Sequence, residues 1–433
     1  MLDVTISDSR LASMLRHYIS ANAKYGADKK LKGIKLCGSR ILPAPCGDGH
    51  VYVIKSVDTA RYMGLAHCHS PWACPICSAK VMAEKGGEIA SLIDARLTWE
   101  KKSAFMITFT LPHTKGMSCQ ETFQVLNDTW RLFTRDGRRA KNSKGKNLPV
   151  YGQMRNKFDI QSIVRVYEFT WGENGWHPHI HALFWTKREN FKALLPYEDL
   201  LTDRWLDCAK RCHAKLKTDI DLDKLYADYK YRPVTGHRAV YFSKTSDGNI
   251  REEASAHYIS GWGADSELTR GGKQKQAHHG HYSPYEFLLN AQFAKDEAEK
   301  NFWLDLYVEY AKTTRGHKRV NFTPGDQQLI AKWRQTNAYI TTLKKNLTDK
   351  VTKQQAVFWF SKQQWHEILV NERESPYLRV HILEAAIRGP SFIISLLKQY
   401  GIDVSDNDLN SPGMKHVNEN VIHAIMKQKT NAA

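Results

Sequence analysis

The chain has 433 residues, 42% of them apolar, with 63 Lys plus Arg against 45 Asp plus Glu, a formal net charge of +18. That length suits two or three domains at about 150 residues each, and the apolar fraction supports a packed core and excludes wholesale disorder. No apolar run has the length of a membrane span, and the start, MLDVTISDSR, lacks a basic stretch followed by an apolar one, so a cytoplasmic protein without a membrane partner is expected, and its positive charge points to a polyanion, nucleic acid first.

Residues 1–100 form a cysteine-bearing N-terminal region. Cysteines stand at 37, 46, 68, 74, 77, 119, 208 and 212; in a reducing compartment they are thiols or metal ligands, not disulfides. CHSPWACPIC holds Cys68, Cys74 and Cys77, and an amphipathic helix over 77–99 follows. A Cys-x-x-Cys with proline inside, leading into a helix, is a common half of a structural Zn²⁺ site. Cys46, in the turn-like APCGDGH, is the first choice for the fourth ligand; Cys37, His67 and His69 are alternatives. No thioredoxin-like βαβ pattern surrounds the pair, which disfavours redox use.

The region 101–300 carries sharper signals. SAFMITFTLP (103–112) reads as a strand ending at proline. Phe123, Leu126, Trp130 and Phe133 recur at helical spacing within 120–136. RDGRRAKNSKGKN (135–147) is a basic loop in which Arg138, Arg139, Lys141, Lys144 and Lys146 are candidate phosphate contacts. Two strands, 161–170 and 177–185, flank GENG (172–175), a hairpin turn. A helix is expected over 197–216, with Cys208, Cys212 and His213 on a face packed against the sheet. A strand over 237–244 and a short helix over 251–262 follow, and 271–283 reads as a solvated loop. The order β-α-β-β-α-β defines an α+β class: a ferredoxin-like antiparallel sheet with helices packed on one face. Residues 301–433 read as mainly helical, over 302–314, 356–372 and 379–401, the last broken at Gly389-Pro390.

WHPHIHALFW (176–185) sets His177, His179 and His181 at alternate positions, with Ile180, Ala182 and Phe184 between them. In a strand, alternate residues share a face, so the imidazoles point one way and the apolar residues into the core. A two-residue turn at Glu173-Asn174 places Glu168 opposite His179, its Cβ about 5 Å away. Two imidazoles and a carboxylate then converge; such mixed nitrogen and oxygen ligation suits Mg²⁺ or Mn²⁺ as a Lewis acid and does not exclude zinc. Gln161 and Glu173 are weaker choices for the carboxylate position.

HPHIHALFW resembles the HUH motif, His, a bulky apolar residue, His, of the HUH endonucleases, and especially the single-tyrosine initiators of rolling-circle plasmid replication. ITFTLPH (107–113) resembles that family's first motif, EFTWGENGWHPHIHAL its second, and EEASAHYISGW its third, so the resemblance covers roughly residues 40–320. It implies that Tyr258 is a nucleophile forming a 5′-phosphotyrosine bond with single-stranded or hairpin origin DNA, and that a host helicase and polymerase are partners. Gly261 stands where many relatives carry lysine, a role open to Lys244 or Lys273; Tyr282 and Tyr285 are weaker nucleophiles, and Glu252 or Glu253 is a candidate for activating water. A transposase or relaxase with the same chemistry, or a DNA-binding protein without catalysis, are the competing readings.

Overall fold

The computed structural model describes residues 34, 37–42, 49–55, 60–135, 150–216, 220–230, 239–252, 281–336, 355–372, 374–375 and 378–409. Among them the chain runs β1 (Val51–Lys55), β2 (Ala60–Met63), α1 (Pro75–Trp99), β3 (Ser103–Phe109), α2 (Cys119–Arg135), α3 (Val150–Lys157), β4 (Ile163–Gly172) and β5 (Gly175–Thr186). It continues through α4 (Tyr197–His213), α5 (Leu222–Lys230), β6 (Val240–Phe242), α6 (Pro284–Gln292), α7 (Glu297–Thr314), β7 (Val320–Asn321) and α8 (Asp326–Thr336). The last elements are β8 (Gln355–Phe360), α9 (Lys362–Asn371), α10 (Leu378–Arg388) and α11 (Pro390–Lys398). The fold is α+β with antiparallel sheets, and no helix among the described residues is long and apolar enough to cross a membrane. The helix expected over 251–262 lies outside the described residues beyond Glu252.

The chain divides into two compact units. The first contains Pro71–Ala73 and Ser78–Thr336 and is built on a five-stranded sheet in the order β6-β3-β5-β4-β7. All neighbouring strands in this sheet pair antiparallel. Strand alternation sorts its residues to two faces. Phe105, Phe109, Ile180 and Phe184 pack on one face, where Trp130 and Phe133 of α2 and Trp205 of α4 lie 4.9–5.6 Å from the Phe109 ring, centroid to centroid. Ala104, Met106, Val164, Leu183 and Trp185 occupy the other face and bury Met82, Ile89, Leu92 and Ile93 of α1. Helices therefore cover both faces, not one as the element order suggests, because α1 brings a second apolar stripe that needs its own surface.

The second unit contains Thr5–Ser70, Cys74–Cys77 and Asn337–Ala433 and has a three-stranded sheet, β2-β1-β8. Val51 and Val53 pair with Phe360 and Phe358, and both strands cover Trp365, Ile368, Leu378, Ile382, Ile393 and Leu397. Residues 356–372 are thus not one helix. AVFWF, dense in β-branched and aromatic side chains, forms β8, and Ser361 then caps α9 in a reciprocal pair with Gln364. The break at Gly389-Pro390 separates α10 from α11 as the sequence indicates, with Gly389 at φ +146°.

The β4–β5 turn explains the register of the first sheet. Gly172 pairs with Gly175, leaving Glu173 and Asn174 at the tip, and Gly175 takes φ +85°. A Cβ on Gly175 would stand 2.9 Å from Lys115 Cα and 3.2 Å from the Thr114 carbonyl. Gly175→Ala is expected to destabilise the protein by about 1–3 kcal/mol through backbone strain and this collision, measured as a lowered urea midpoint with an unchanged slope.

Candidate metal centres

Ladder pairing along β4 and β5 sets Thr170 opposite His177, Glu168 opposite His179 and Val166 opposite His181, while β3 sets Thr108 opposite His181. Glu168 Oε2 accepts from His179 Nε2 at 2.7 Å and from His181 Nε2 at 2.8 Å. These three ligand atoms lie within 4.8 Å of one another. Cis ligands about 2.1 Å from an octahedral ion stand roughly 3.0 Å apart, so the spacing suits one divalent cation in place of the shared protons. Gln161 bonds Asp159 at 2.6 Å and lines a cleft beside Ile163 and Arg165 instead.

The surroundings disfavour protonation of His177 and His181 and keep Glu168 ionised. Burial pushes the Glu168 carboxyl up, but the His179 charge and the hydrogen bonds of His179 and His181 outweigh it and hold it well below the carboxylate range. Burial lowers His181 against the opposing pull of Glu168. His177 falls well below its ordinary value through burial and then the charges of His113, His179 and His281. A neutral imidazole is the ligating form. Thr108 Oγ1 lies 2.9 Å from His181 Nδ1, which orients that ring. His179 Nδ1 is buried without a hydrogen-bond partner among the described residues.

His177, third in the alternating set, meets a different partner: its Nδ1 lies 2.6 Å from His113 Nε2, and His113 Nδ1 lies 3.0 Å from the Asn174 carbonyl. Sequence alone gives no role to His113 or Thr108. Both sit in ITFTLPH, but only strand pairing shows which histidine each one meets. His281 lies close by, its ring 6.4 Å from His177. Tyr282 bridges to Trp171 through both backbone hydrogen bonds, at 2.9 and 2.7 Å. Tyr285 is buried and its hydroxyl donates to the Trp72 carbonyl, a packing role. Lys244 is ion-paired with buried Glu198, and Glu252 pairs with Arg188 at 3.0 Å. Tyr258, Glu253, Gly261, Lys273, Arg138, Arg139, Lys141, Lys144 and Lys146 lie outside the described residues.

The second unit brings together Cys37, Cys68, Cys74 and Cys77, whose sulfurs also lie within 4.8 Å of one another. Cys37 Sγ is 3.5 Å from Cys77 Sγ and 3.7 Å from Cys74 Sγ. Tetrahedral zinc with bonds of about 2.3 Å places thiolates roughly 3.8 Å apart, whereas a disulfide needs about 2.0 Å. The four atoms therefore fit a tetrahedral ion. Cys37 stands in the fourth position; Cys46 lies outside the described residues. Hydrogen bonds from Cys68 and Cys74 hold the Cys37 thiol down to about 5, and those of Cys37, Cys68 and Cys74 pull Cys77 far down, while Cys68 and Cys74 are pushed up. The Cys68 amide donates to Cys37 Sγ at 3.4 Å, and hydrogen bonding to Cys37 raises His67 to about 9. Further along the chain Arg379 donates to the Gly38 carbonyl at 2.7 Å and Trp365 Nε1 to that of Ser39 at 2.8 Å, steadying the residues beside Cys37. Cys208 and Cys212 are buried on α4 and belong to no ligand group among the described residues. His213 Nδ1 lies 2.8 Å from the Tyr226 hydroxyl.

These features define an α+β protein whose antiparallel sheet holds a His-His-Glu cluster, with a separate four-thiol cluster. Among curated proteins the chain is 24% identical over 329 residues to one named Protein rep from Streptomyces lividans, covering 65% of this chain and 67% of that protein. It is also 28% identical over 192 residues to a Neomycin resistance protein from Streptomyces cyanogenus, covering 36% of this chain and 41% of the relative. No protein-family model matches the chain. No solved structure matches it either.

Buried neutral histidines make stability pH-dependent. Burial, with the His113 charge, lowers His213 to about 4, whereas an unfolded histidine titrates near ~6.5. Between those values the unfolded chain binds the extra proton, so stability falls as the pH drops. His213→Gln is expected to flatten the decline of the thermal midpoint between about pH 6.5 and pH 4, and thermal melts across that range check it.

Proposed function

We propose that this protein is a rolling-circle replication initiator that nicks and rejoins single-stranded origin DNA through a covalent 5′-phosphotyrosine. The observation that carries this reading is the convergence of Glu168, His179 and His181 from adjacent strands on one point. The strand order β6-β3-β5-β4, with α2 and α4 between strands, agrees with the split βαβ plan expected of a ferredoxin-like HUH domain and supports the same reading. The similarity to Protein rep agrees with a replication role.

Glu168, His179 and His181 would hold Mg²⁺ or Mn²⁺, which when bound withdraws charge from the non-bridging oxygens of a phosphate. Thr108 keeps the His181 ring in its ligating orientation. Tyr258 supplies the nucleophile: its phenolic oxygen bonds to phosphorus as the proton leaves to solvent, the bond to the 3′ oxygen breaks, and that oxygen takes up a proton. The products are a 5′-phosphotyrosine and a free 3′-hydroxyl that can prime a polymerase; attack by a 3′-hydroxyl on the phosphotyrosine reverses the step and rejoins the strand. Cys37, Cys68, Cys74 and Cys77 would hold structural Zn²⁺, and the basic segment at 138–146 would contact phosphates. The working partners are origin DNA, single-stranded or in a hairpin, and a host helicase and polymerase in the cytoplasm.

Incubation with a single-stranded oligonucleotide labelled on its 3′ side and Mn²⁺ or Mg²⁺ is expected to yield a slow-migrating covalent adduct on a denaturing gel. Tyr258→Phe is expected to yield none while binding the oligonucleotide normally, and His179→Ala with His181→Ala is expected to abolish nicking with most DNA affinity retained, since phosphate contacts lie elsewhere. Undiminished nicking by the double variant overturns the metal assignment, and an adduct from Tyr258→Phe redirects peptide mapping to Tyr282.

Elemental analysis of purified protein is expected to find about one zinc per chain. Cys37→Ser is expected to lower that content and the thermal midpoint together, because a closed zinc site contributes folding free energy directly. Metal-free protein with an unchanged midpoint argues for plain thiols.

A further inference from the structure

The sheet face turned away from the histidines has a polar feature of its own. Ile163 and Arg165 alternate with Val164 and Val166 on β4, so they project opposite to Glu168. A cleft of about 830 Å³ opens there, walled by the end of α2, by α3 and by the segment after β7, and it falls in the size range of ligand sites. Arg131, Arg135, Arg155 and Arg165 line it, and none of the described lining residues is an aspartate or glutamate.

Arg165 is the deepest of the four in the sheet. Its guanidinium lies 5.1 Å from the Trp130 ring centre and 4.8 Å from that of Tyr167. Its Nε is buried without a hydrogen-bond partner, and no carboxylate among the described residues pairs with it. Burial lowers its proton affinity, yet arginine keeps its charge in proteins. Arg155 spends only its Nε, 2.9 Å from the Ile160 carbonyl, so its terminal nitrogens bond no described residue. Arg131 is exposed and meets Asp128 at 3.2 Å. An unpaired, half-buried guanidinium is costly unless an anion completes it, and its planar fork matches phosphate oxygens. Clustered arginines with no acid among the described wall residues focus the field into the cleft.

We propose that this cleft holds backbone phosphates of single-stranded nucleic acid, on the face opposite the His-His-Glu cluster. The inference stands apart from the nicking reading, because it needs neither the metal nor Tyr258. A recessed arginine favours a single strand: a duplex keeps its phosphates on a wide, stiff cylinder and meets only the rim, whereas a flexible strand follows a charged groove.

The test is fluorescence anisotropy of the full chain with a labelled mixed-sequence single-stranded oligonucleotide, across a salt series and without added divalent metal. Arg131→Gln with Arg155→Gln removes two rim charges at exposed or half-buried positions, where folding is retained and thermal melts verify it. Affinity is expected to fall about tenfold or more, and the slope of log K against log salt to become shallower by about 1.4, some 0.7 per phosphate contact. Arg165→Met, which keeps an unbranched chain between the two rings, is expected to add to the loss. Lys224→Gln with Lys332→Gln, exposed and outside the cleft, removes the same charge and is expected to leave the slope nearly unchanged. Equal losses from the two double variants overturn the proposal in favour of general surface charge. An equal loss on a duplex of the same length overturns the single-strand assignment.

Discussion

The pairing of Glu168 with His179 across the β4–β5 hairpin is the constraint on which the candidate centre rests. Strand side chains alternate, so a slip of one residue would send Glu168 to the core face and leave the imidazoles without a carboxylate. Two features hold the register. Gly175 takes the left-handed conformation beside Lys115, where a side chain does not fit. Ile180, Ala182 and Phe184 are fully buried, and a slip would expose them. The geometry of the His-His-Glu cluster is thus a by-product of core packing on the opposite face.

That arrangement gives the two faces of one sheet different electrostatics. On the histidine face, α1 covers Leu183 and Trp185 but the cluster lies further along β5, at His177–His181. There burial suppresses protonation of His177 and His181, and Glu168 stays ionised because their neighbours hold it so. Two imidazoles around one ionised carboxylate form a donor set suited to a cation. Along the other face, the Arg165 guanidinium lies over the rings of Trp130 and Tyr167 with no acid beside it among the described residues, which makes the same strand receptive to an anion. Alternation along β4 therefore separates a cation-seeking residue, Glu168, from an anion-seeking one, Arg165, by three positions.

The second unit rests on long-range closure. Its sheet joins Val51–Lys55 to Gln355–Phe360, and its thiol cluster depends on Cys37, whose neighbours Gly38 and Ser39 are held by Arg379 and Trp365. A four-thiol site next to such a small three-stranded sheet adds order where the apolar core is limited.

Local patterning determined much by itself. The alternation in WHPHIHALFW marks a strand with its histidines on one face, and GENG marks the turn; together they place Glu168 opposite His179, because strand geometry has a period of two and a short turn leaves one register. CHSPWACPIC before a helix likewise holds three of the four clustered thiols. What tertiary structure decided lies beyond such periodicity. Cys37 joined the cluster through a chain reversal with no local signal, and AVFWF became a strand because β1, some 300 residues earlier, offered an edge. His113 met His177, and Thr108 met His181, only once β3 had paired with β5. A sequence shows which face a side chain takes along its own element; which other face it meets is settled by packing between segments distant in the chain.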